Sequence, residues 1–387
     1  MSAALAEARR LAAEFRATAA ARDLAGGSPT AERNRLRASG LLKLSIPSQH
    51  GGHGAAWPEI LHVVRELATA DASLAHIFAY HHLGVITPHL IGTPAQRDHW
   101  YARTVNQQLF WGNSLNPLDP RTTLTRGDEG TLRLNGEKSF CTGSKDSDVL
   151  LVSATEMGEP QLRVAVIPTS RQGVLVNDDW DNMGQRQTDS GSVSYRDVVV
   201  YPAELLGPPG PGGSAFATLR TCITQASLSN IYLGLAQGAF EEARQYTRAL
   251  ERPFYGSPAT HATDDPYILQ RYGEMHVQIA AAGALLDTTA TALQQAWERD
   301  TALTADERGT CAAVIATAKV AAARCALDLT SQIFEVMGAR ATSGRYRFDR
   351  FWRNARTLTL HDPPDVKTRE VGDWVLNGRF PNATFYS

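Results

Sequence analysis

The stretch Leu134-Asn135-Gly136-Glu137-Lys138-Ser139-Phe140-Cys141-Thr142-Gly143-Ser144 follows a short alternating run, Thr131-Leu132-Arg133-Leu134. Leu132 and Leu134 flank Arg133 with the period of a half-buried strand. Asn135-Gly136 is the strongest short hairpin signal, because both residues tolerate positive φ. The pattern predicts a strand, a tight turn at 135–136 and a returning strand. Phe140 to Ser144 then join aromatic surface to short hydroxyl donors. That mixture suits a planar, hydrogen-bonding heterocycle, and it equally suits an ordinary strand end.

Strand-like texture continues on both sides of this stretch. Phe110-Trp111-Gly112-Asn113-Ser114 again combines rings with donors, and Val149-Leu150-Leu151-Val152 and Val164-Ala165-Val166-Ile167-Pro168 read as apolar strands. Ser192 to Tyr195 and Val198 to Tyr201 complete a small β domain over residues 107–206. Before it, residues 1–106 are rich in Ala, Leu and Arg with helical spacing (Leu61, Val64, Leu67, Ala68), broken by turn formers at 47–54. After it, Gly-Pro-Pro-Gly-Pro-Gly-Gly at 207–213 reads as a linker. Long helical stretches follow at about 214–251, 265–300 and 304–338, with a shorter one near 364–377. Asp264-Asp265-Pro266 supplies capping chemistry. Helices of this length with apolar residues on more than one face pack as bundles. The expected fold is α+β and mostly α. It has an N-terminal helical domain (1–106), a central small barrel or sheet (107–206) and a C-terminal four-helix bundle with a tail (214–387).

Bulk properties narrow the classes. The chain has 387 residues, 43% hydrophobic and 20% charged, enough for two or three folding units. A formal charge of −2 gives no electrostatic reason to expect nucleic acid or an anionic membrane as partner. No apolar run is read as a membrane span, and the N-terminus lacks a secretion signal. Cys141, Cys222, Cys311 and Cys325 form no paired spacing, so neither disulfides nor a zinc site are expected. A cytoplasmic location is the simplest expectation.

Three segments are candidates for chemistry. Gly210 to Ala215 fits G-x-G-x-x-A, but helices rather than a βαβ unit follow, so a linker is the better reading than a nicotinamide site. His76-Ile77-Phe78-Ala79-Tyr80-His81-His82 is the densest titratable cluster, with His76 and Tyr80 sharing a helix face. No acid partner supports a metal, and core packing accounts for this spacing equally well. His361-Asp362-Pro363-Pro364 follows an Arg- and aromatic-rich segment at 349–356. The prolines would hold His361 in a turn, as an acid–base group or as a buried donor.

Together these segments resemble the acyl-CoA dehydrogenase superfamily over nearly the whole chain. Residues 134–144 resemble its flavin-binding L-x-G-x-K-x-[WF]-x-[TS] strand, and Gln332-Ile333-Phe334 with Met337-Gly338-Ala339-Arg340 resembles its late-helix segment. Dehydrogenases of the family carry a catalytic glutamate near the C-terminus. The corresponding stretch here reads Thr359-Leu360-His361-Asp362-Pro363. That departure is similar to a subfamily of flavin-dependent monooxygenases resembling dibenzothiophene monooxygenase, with indole-hydroxylating relatives in natural-product pathways. His76-x-Phe78-x-Tyr80-His81, Trp111-Gly112-Asn113, residues 178–186, Arg350-Phe351-Trp352-Arg353-Asn354 and Phe385-Tyr386-Ser387 resemble its motifs.

The resemblance implies a two-component enzyme. A separate flavin reductase supplies reduced flavin, FADH2 or FMNH2, which reacts with O2 to a C4a-hydroperoxide that oxygenates an electron-rich acceptor. An indole or carbazole ring is the first expectation and a thiophene sulfur the second. It further implies that Asn113, Thr142, Ser144 and Trp180 surround the flavin ring, with Ser190 near the ribityl or phosphate region. Arg252 and Arg340 would pair with phosphate, Arg340 across an interface of a homotetramer. His361 and Ser144 would hydrogen-bond near the reacting oxygen, and His76 and Tyr80 would line the substrate side. The rival readings are an acyl-CoA dehydrogenase with an atypical base and a flavin-free helical scaffold.

Overall fold

The computed structural model describes residues 2–127, 130–158, 162–207, 213–253 and 255–387. Five helices come first: α1 (Ala3–Ala25), α2 (Thr30–Ala38), α3 (Trp57–Ala68), α4 (Ala72–Ile91) and α5 (Pro94–Gln107). Asp71 starts α4 by accepting from the backbone N–H groups of Ser73 and Leu74, satisfying donors that the first helical turn leaves open. A reciprocal Thr93–Gln96 capping box starts α5. Helix α4 is buried on almost every side, so His76, Tyr80, His81 and His82 are all interior.

Among the described residues eight strands follow: β1 (Trp111–Ser114), β2 (Thr122–Arg126), β3 (Leu132–Lys138), β4 (Val149–Glu156), β5 (Leu162–Pro168), β6 (Val174–Val176), β7 (Val193–Val200) and β8 (Leu205–Leu206). They form one sheet in the order β6-β7-β3-β2-β4-β5-β8, with β1 on β4. One apolar cluster, around Leu134, Leu150 and Ile167, packs one face of this sheet. Another, around Trp111, Leu151 and Val166, faces the helices.

Asn135-Gly136 is not a hairpin turn. Strand β3 runs through it, and the register against β7 shifts between Leu134 and Gly136, the mark of a β-bulge. Gly136 has φ 116°, and a Cβ there would fall 1.9 Å from the Arg121 carbonyl oxygen. Asn135 Oδ1 accepts from the Asp197 N–H at 2.8 Å, so the residue pair that signals a turn instead fastens two strands. The separate strands expected at 192–195 and 198–201 are one strand, β7. Most of the 207–213 segment read as a linker lies outside the described residues.

The C-terminal helices are α6 (Leu219–Arg248), α7 (Pro266–Glu298), α8 (Ala305–Met337), α9 (Asp349–Leu358) and α10 (Pro364–Asn377). Asp265 caps α7, and a Thr304–Glu307 capping box starts α8. The Arg- and aromatic-rich segment is helix α9, which buries Arg350, Phe351, Asn354, Ala355 and Leu358. Contrary to the sequence reading, α8 is long and apolar enough to cross a membrane. Yet 67% of its apolar window is buried, as in a core helix. A single apolar core links the N-terminal helices α1, α3 and α4 with α6, α7, α8 and α9.

Candidate functional site

A cavity of about 440 Å³ opens where α4, the strand ends of the sheet, the start of α6 and the turn after α9 converge. Its walls include His76, Tyr80, Asn113, Thr142, Trp180, Ser190 and His361, which are more than 280 residues apart at the extremes. Among the described residues lining it, none is an aspartate or glutamate.

The wall formed by α4 and the 359–363 turn carries a chain of polar contacts. Tyr80 Oη lies 3.0 Å from His361 Nε2, and His361 Nδ1 lies 2.5 Å from Asp362 Oδ1. The other Asp362 oxygen accepts from Lys319 on α8, which also donates to Gln225 on α6. Burial by itself would raise the Asp362 carboxyl. The His361 hydrogen bond and the Lys319 charge overcome it and hold the group well below the usual carboxylate range. Burial lowers Lys319 to about 8, against the attraction of Asp362. An ionised carboxylate at Nδ1 keeps the proton there, so a neutral His361 presents Nε2 as an acceptor to Tyr80. Burial raises the Tyr80 hydroxyl, which stays protonated and donates.

His76 stands one turn before Tyr80, its ring edge-on at 4.5 Å between centroids. Burial, then the nearby His361, lowers it to about 3, so it is neutral. Its Nδ1 is 3.3 Å from Gln185 Oε1. Among the described residues, His76 Nε2 and Gln185 Nε2 are buried without a partner, although buried polar atoms are normally satisfied. Gln185 adopts φ 54° on a loop pressed against α9. A Cβ on Gly184 would meet the Arg353 carbonyl oxygen at 2.1 Å. Asn354 Oδ1 accepts from the Gln185 N–H at 2.6 Å, and Trp180 Nε1 donates to the Gln185 carbonyl at 2.7 Å.

On the sheet side, the hydroxyls of Thr142 and Ser190 are 3.0 Å apart, and the Thr142 carbonyl accepts from the Asn113 N–H at 2.9 Å. Phe140 and Trp180 stand edge to face at 6.2 Å. Behind this wall, buried Arg33 on α2 pairs with Asp189 at 2.6 Å and also donates to the Lys145 carbonyl. Buried Lys138 donates to the carbonyls of Asn116 and Asp119, holding the 115–121 loop, whose Leu115, Asn116 and Pro117 also face the cavity. Ring plates beside hydroxyl, amide and unpartnered imidazole groups fit a flavin ring, which needs stacking surface and an edge of hydrogen bonds.

The placement of the expected residues is uneven. His76, Tyr80, Asn113, Thr142, Trp180, Ser190 and His361 share the cavity. Ser144 does not line it: the residue is 1% exposed, and its hydroxyl donates to the Asp189 carbonyl at 3.3 Å. Arg252, just after α6, and Arg340, in the turn after α8, are exposed and outside the cavity of this single chain. Arg220, Gln185 and Lys319 were missed. Lys319 inside the small and apolar run at 311–323 was the available signal for one of them. Among the described residues, no cluster of three His, Cys, Asp or Glu side chains is placed to hold a metal.

Three family models and several known proteins match the chain over nearly its full length. Residues 2–108, 112–198 and 226–363 match the N-terminal, middle and C-terminal domains of acyl-CoA dehydrogenase. The chain is 49% identical to a probable FMNH2-dependent monooxygenase, SfnC, of Pseudomonas putida, over 99% of this chain and 97% of that protein. It is 44% identical to dibenzothiophene monooxygenase of Rhodococcus qingshengii, over 99% and 95%. Methanesulfinate monooxygenase MsuC of Pseudomonas fluorescens superposes with TM-score 0.97 at 49% identity, covering all of both chains. TdsC of Paenibacillus sp. A11-2, solved with FMN and indole, superposes with TM-score 0.96 at 46% identity over all of both chains. Butyryl-CoA dehydrogenase of Megasphaera elsdenii, at 21% identity and TM-score 0.82, shares the fold.

Proposed function

The chain belongs to the acyl-CoA dehydrogenase family, among its flavin-dependent monooxygenases, and on that premise we propose that its cavity oxygenates a small, electron-rich acceptor. It is a reduced-flavin-dependent monooxygenase whose cofactors are reduced flavin and O2. The flavin is FMNH2, as in the SfnC relative. When bound, the reduced flavin supplies the two electrons that let O2 deliver one oxygen atom to the acceptor and one to water.

The observation that carries this reading is the Tyr80–His361–Asp362 chain on a cavity wall that, among the described residues, offers no carboxylate. Removal of a proton α to a thioester needs a base that faces the substrate, and Asp362 is turned away toward Lys319. An acyl-CoA dehydrogenase with an atypical base is therefore not favoured.

The protein's own contribution is binding, orientation and exclusion of water. Asn113, Thr142, Ser190 and Trp180 hold and align the flavin ring, with Phe140 closing its exposed edge. His361 holds a proton at Nδ1 and exchanges a second through Nε2 with Tyr80 or the departing oxygen. Neutral His76 anchors the acceptor through Nε2. Arg252 and Arg340 pair with a flavin phosphate, Arg340 across an interface of a homotetramer. Reduced flavin comes from a separate reductase, and the enzyme works in the cytoplasm.

A flat heterocycle of the indole or carbazole type is supported by the Leu83, Leu115, Phe140 and Trp180 surfaces and by the indole held in TdsC. A thiophene sulfur is supported by the dibenzothiophene relatives. The test mixes enzyme and FMNH2 anaerobically, admits O2 with either acceptor, and follows the flavin spectrum and the products. Oxygenated product in yield close to the FMNH2 supplied is expected. Anaerobic bleaching of oxidised FMN on the enzyme by an acyl-CoA would overturn the reading.

A further inference from the structure

Spacing along the chain pairs none of the cysteines, but packing brings two of them together. Cys222, in the opening turn of α6, and Cys311, on α8, are buried, unbridged and within hydrogen-bonding reach of each other. Small side chains at Ala312 and Ala316 of α8 keep the seam beside Cys222 narrow. Two buried cations, Arg308 and Lys367, act on the same thiol. Arg308 donates to Thr218 Oγ1 at 3.0 Å and to the carbonyls of Thr218 at 3.2 Å and Ser387 at 2.6 Å. Its Nη1 is buried with no hydrogen-bond partner among the described residues.

This setting separates the pair from the other two cysteines. The hydrogen bond from Cys311, then the charges of Arg308 and Lys367, draw the Cys222 thiol down against its burial, while Cys311 is pushed up. The start of a helix also favours a thiolate. Burial instead raises Cys141 to about 12 and Cys325 to about 11, so both stay protonated and inert. A crevice of about 10 Å³ between Cys222, Gln225, Lys367 and Glu370 has the room of about one water molecule. Hydrogen peroxide is little larger, and reduced flavin with O2 yields it whenever no acceptor takes the oxygen.

We propose that Cys222 and Cys311 are a peroxide-oxidised dithiol, closing reversibly to a disulfide between α6 and α8 that disturbs the polar chain behind His361. The Cys222 thiolate attacks hydrogen peroxide: an S–O bond forms, the O–O bond breaks, and hydroxide leaves to take up a proton as water. Cys311 then loses its proton and attacks the Cys222 sulfur. The S–S bond forms, the S–O bond breaks, and the oxygen leaves as a second water. Two thiols are oxidised by two electrons in all, and one peroxide is reduced. The bond is about 2.05 Å long, so closing it draws the two helix turns together. Gln225 stands one turn after Cys222 and accepts from Lys319, which also donates to Asp362, the partner of His361. The disulfide thus pulls on the contacts that fix His361, whichever acceptor the cavity takes.

The experiment adds hydrogen peroxide to the FMN-loaded enzyme, alkylates the remaining thiols in denaturant and maps the peptides by mass spectrometry. A peptide cross-linked through Cys222 and Cys311 is expected, cleared by a thiol reductant, with Cys141 and Cys325 still alkylated. Cys311→Ser should instead hold a sulfenate at Cys222, trapped by dimedone. Oxidised wild-type enzyme should give severalfold less oxygenated product per FMNH2 and regain it on reduction, whereas Cys222→Ser should keep its yield through the same treatment. Cys222 and Cys311 left as open to alkylation as Cys141 and Cys325 overturn the dithiol. A loss of yield that Cys222→Ser shares, or an unchanged yield in fully cross-linked enzyme, overturns the link to His361. The wild-type peptide map decides the cross-link even where a serine variant fails to fold.

Discussion

Tyr80 Oη and His361 Nε2 meet at 3.0 Å although 281 residues separate them. The contact joins a helix of the N-terminal region to a turn near the C-terminus at the cavity wall, and Asp362 and Lys319 fix it from behind.

That contact predicts a coupling defect. His361→Ala should lower product per FMNH2 consumed by tenfold or more and raise peroxide release in proportion, in line with the ~10²–10⁴-fold range for positioned proton donors. Tyr80→Phe should do the same less severely. FMN affinity should hold within about twofold. Single-turnover runs that quantify product and peroxide check it, and unchanged coupling in His361→Ala would sink its role.

The buried pair behind His361 is predicted to matter for stability. Lys319 and Asp362 side chains are 2% and 6% exposed, so removing one charge strands the other in a dry site. Asp362→Asn should destabilise the protein by about 3–5 kcal/mol, whereas pairing Asp362→Asn with Lys319→Met should recover part of that loss. Chemical denaturation of the three variants measures both.

Acid should weaken the fold through its buried imidazoles before it reaches most of the carboxylates. His76 and His81 are held at about 3 and about 4, chiefly by burial, and burial also takes His82 well down. Between about pH 6.5 and pH 4 the unfolded chain binds more protons at these positions than the native chain. Stability therefore rises with pH in that window and falls as pH drops. Each imidazole contributes up to ~1.4 kcal/mol per pH unit. Asp189, pushed up to about 6 by burial, works in the opposite sense. His89, also lowered by burial, adds to the imidazoles, so the net slope is at least that of about two of them, or ~3 kcal/mol per unit. A Tm that does not move between pH 6.5 and 4.5 would contradict this.

Lys138 should control leakage from the cavity. It ties the 115–121 loop through the Asn116 and Asp119 carbonyls, and Lys138→Met leaves those acceptors to water. Peroxide formed per FMNH2 should rise severalfold, with hydrogen exchange accelerated at residues 115–121. If neither changes, the loop is held by other contacts.

Local chemistry explains what could be read before the structure. Leu132 and Leu134 mark a strand wherever they are placed, because alternation places them on one face. The acidic cap at Asp264-Asp265 marks where α7 begins, because unsatisfied helix donors need a local acceptor. The motif at 134–144, the histidine in place of a glutamate at 361 and the further motif matches in one order together pointed to family and reaction class. Asn135-Gly136 misled because its preference for positive φ serves a bulge as well as a turn, and only the neighbouring β7 selects between them.

The sequence by itself determined the order of helices and strands, the flavin-type strand motif and the absence of a glutamate at the late turn. These are properties of consecutive residues, encoded by periodicity and capping. Tertiary structure alone decided that Thr142 and Ser190 face the cavity while Ser144 is buried behind it. It alone brought Lys319 to Asp362 and left Arg220 facing a cavity without a carboxylate. Helix α4 is buried on nearly every side, so no polar face reveals which of its histidines meets the ligand. Distances between residues far apart in the chain are set by packing of whole elements, and no local pattern records them.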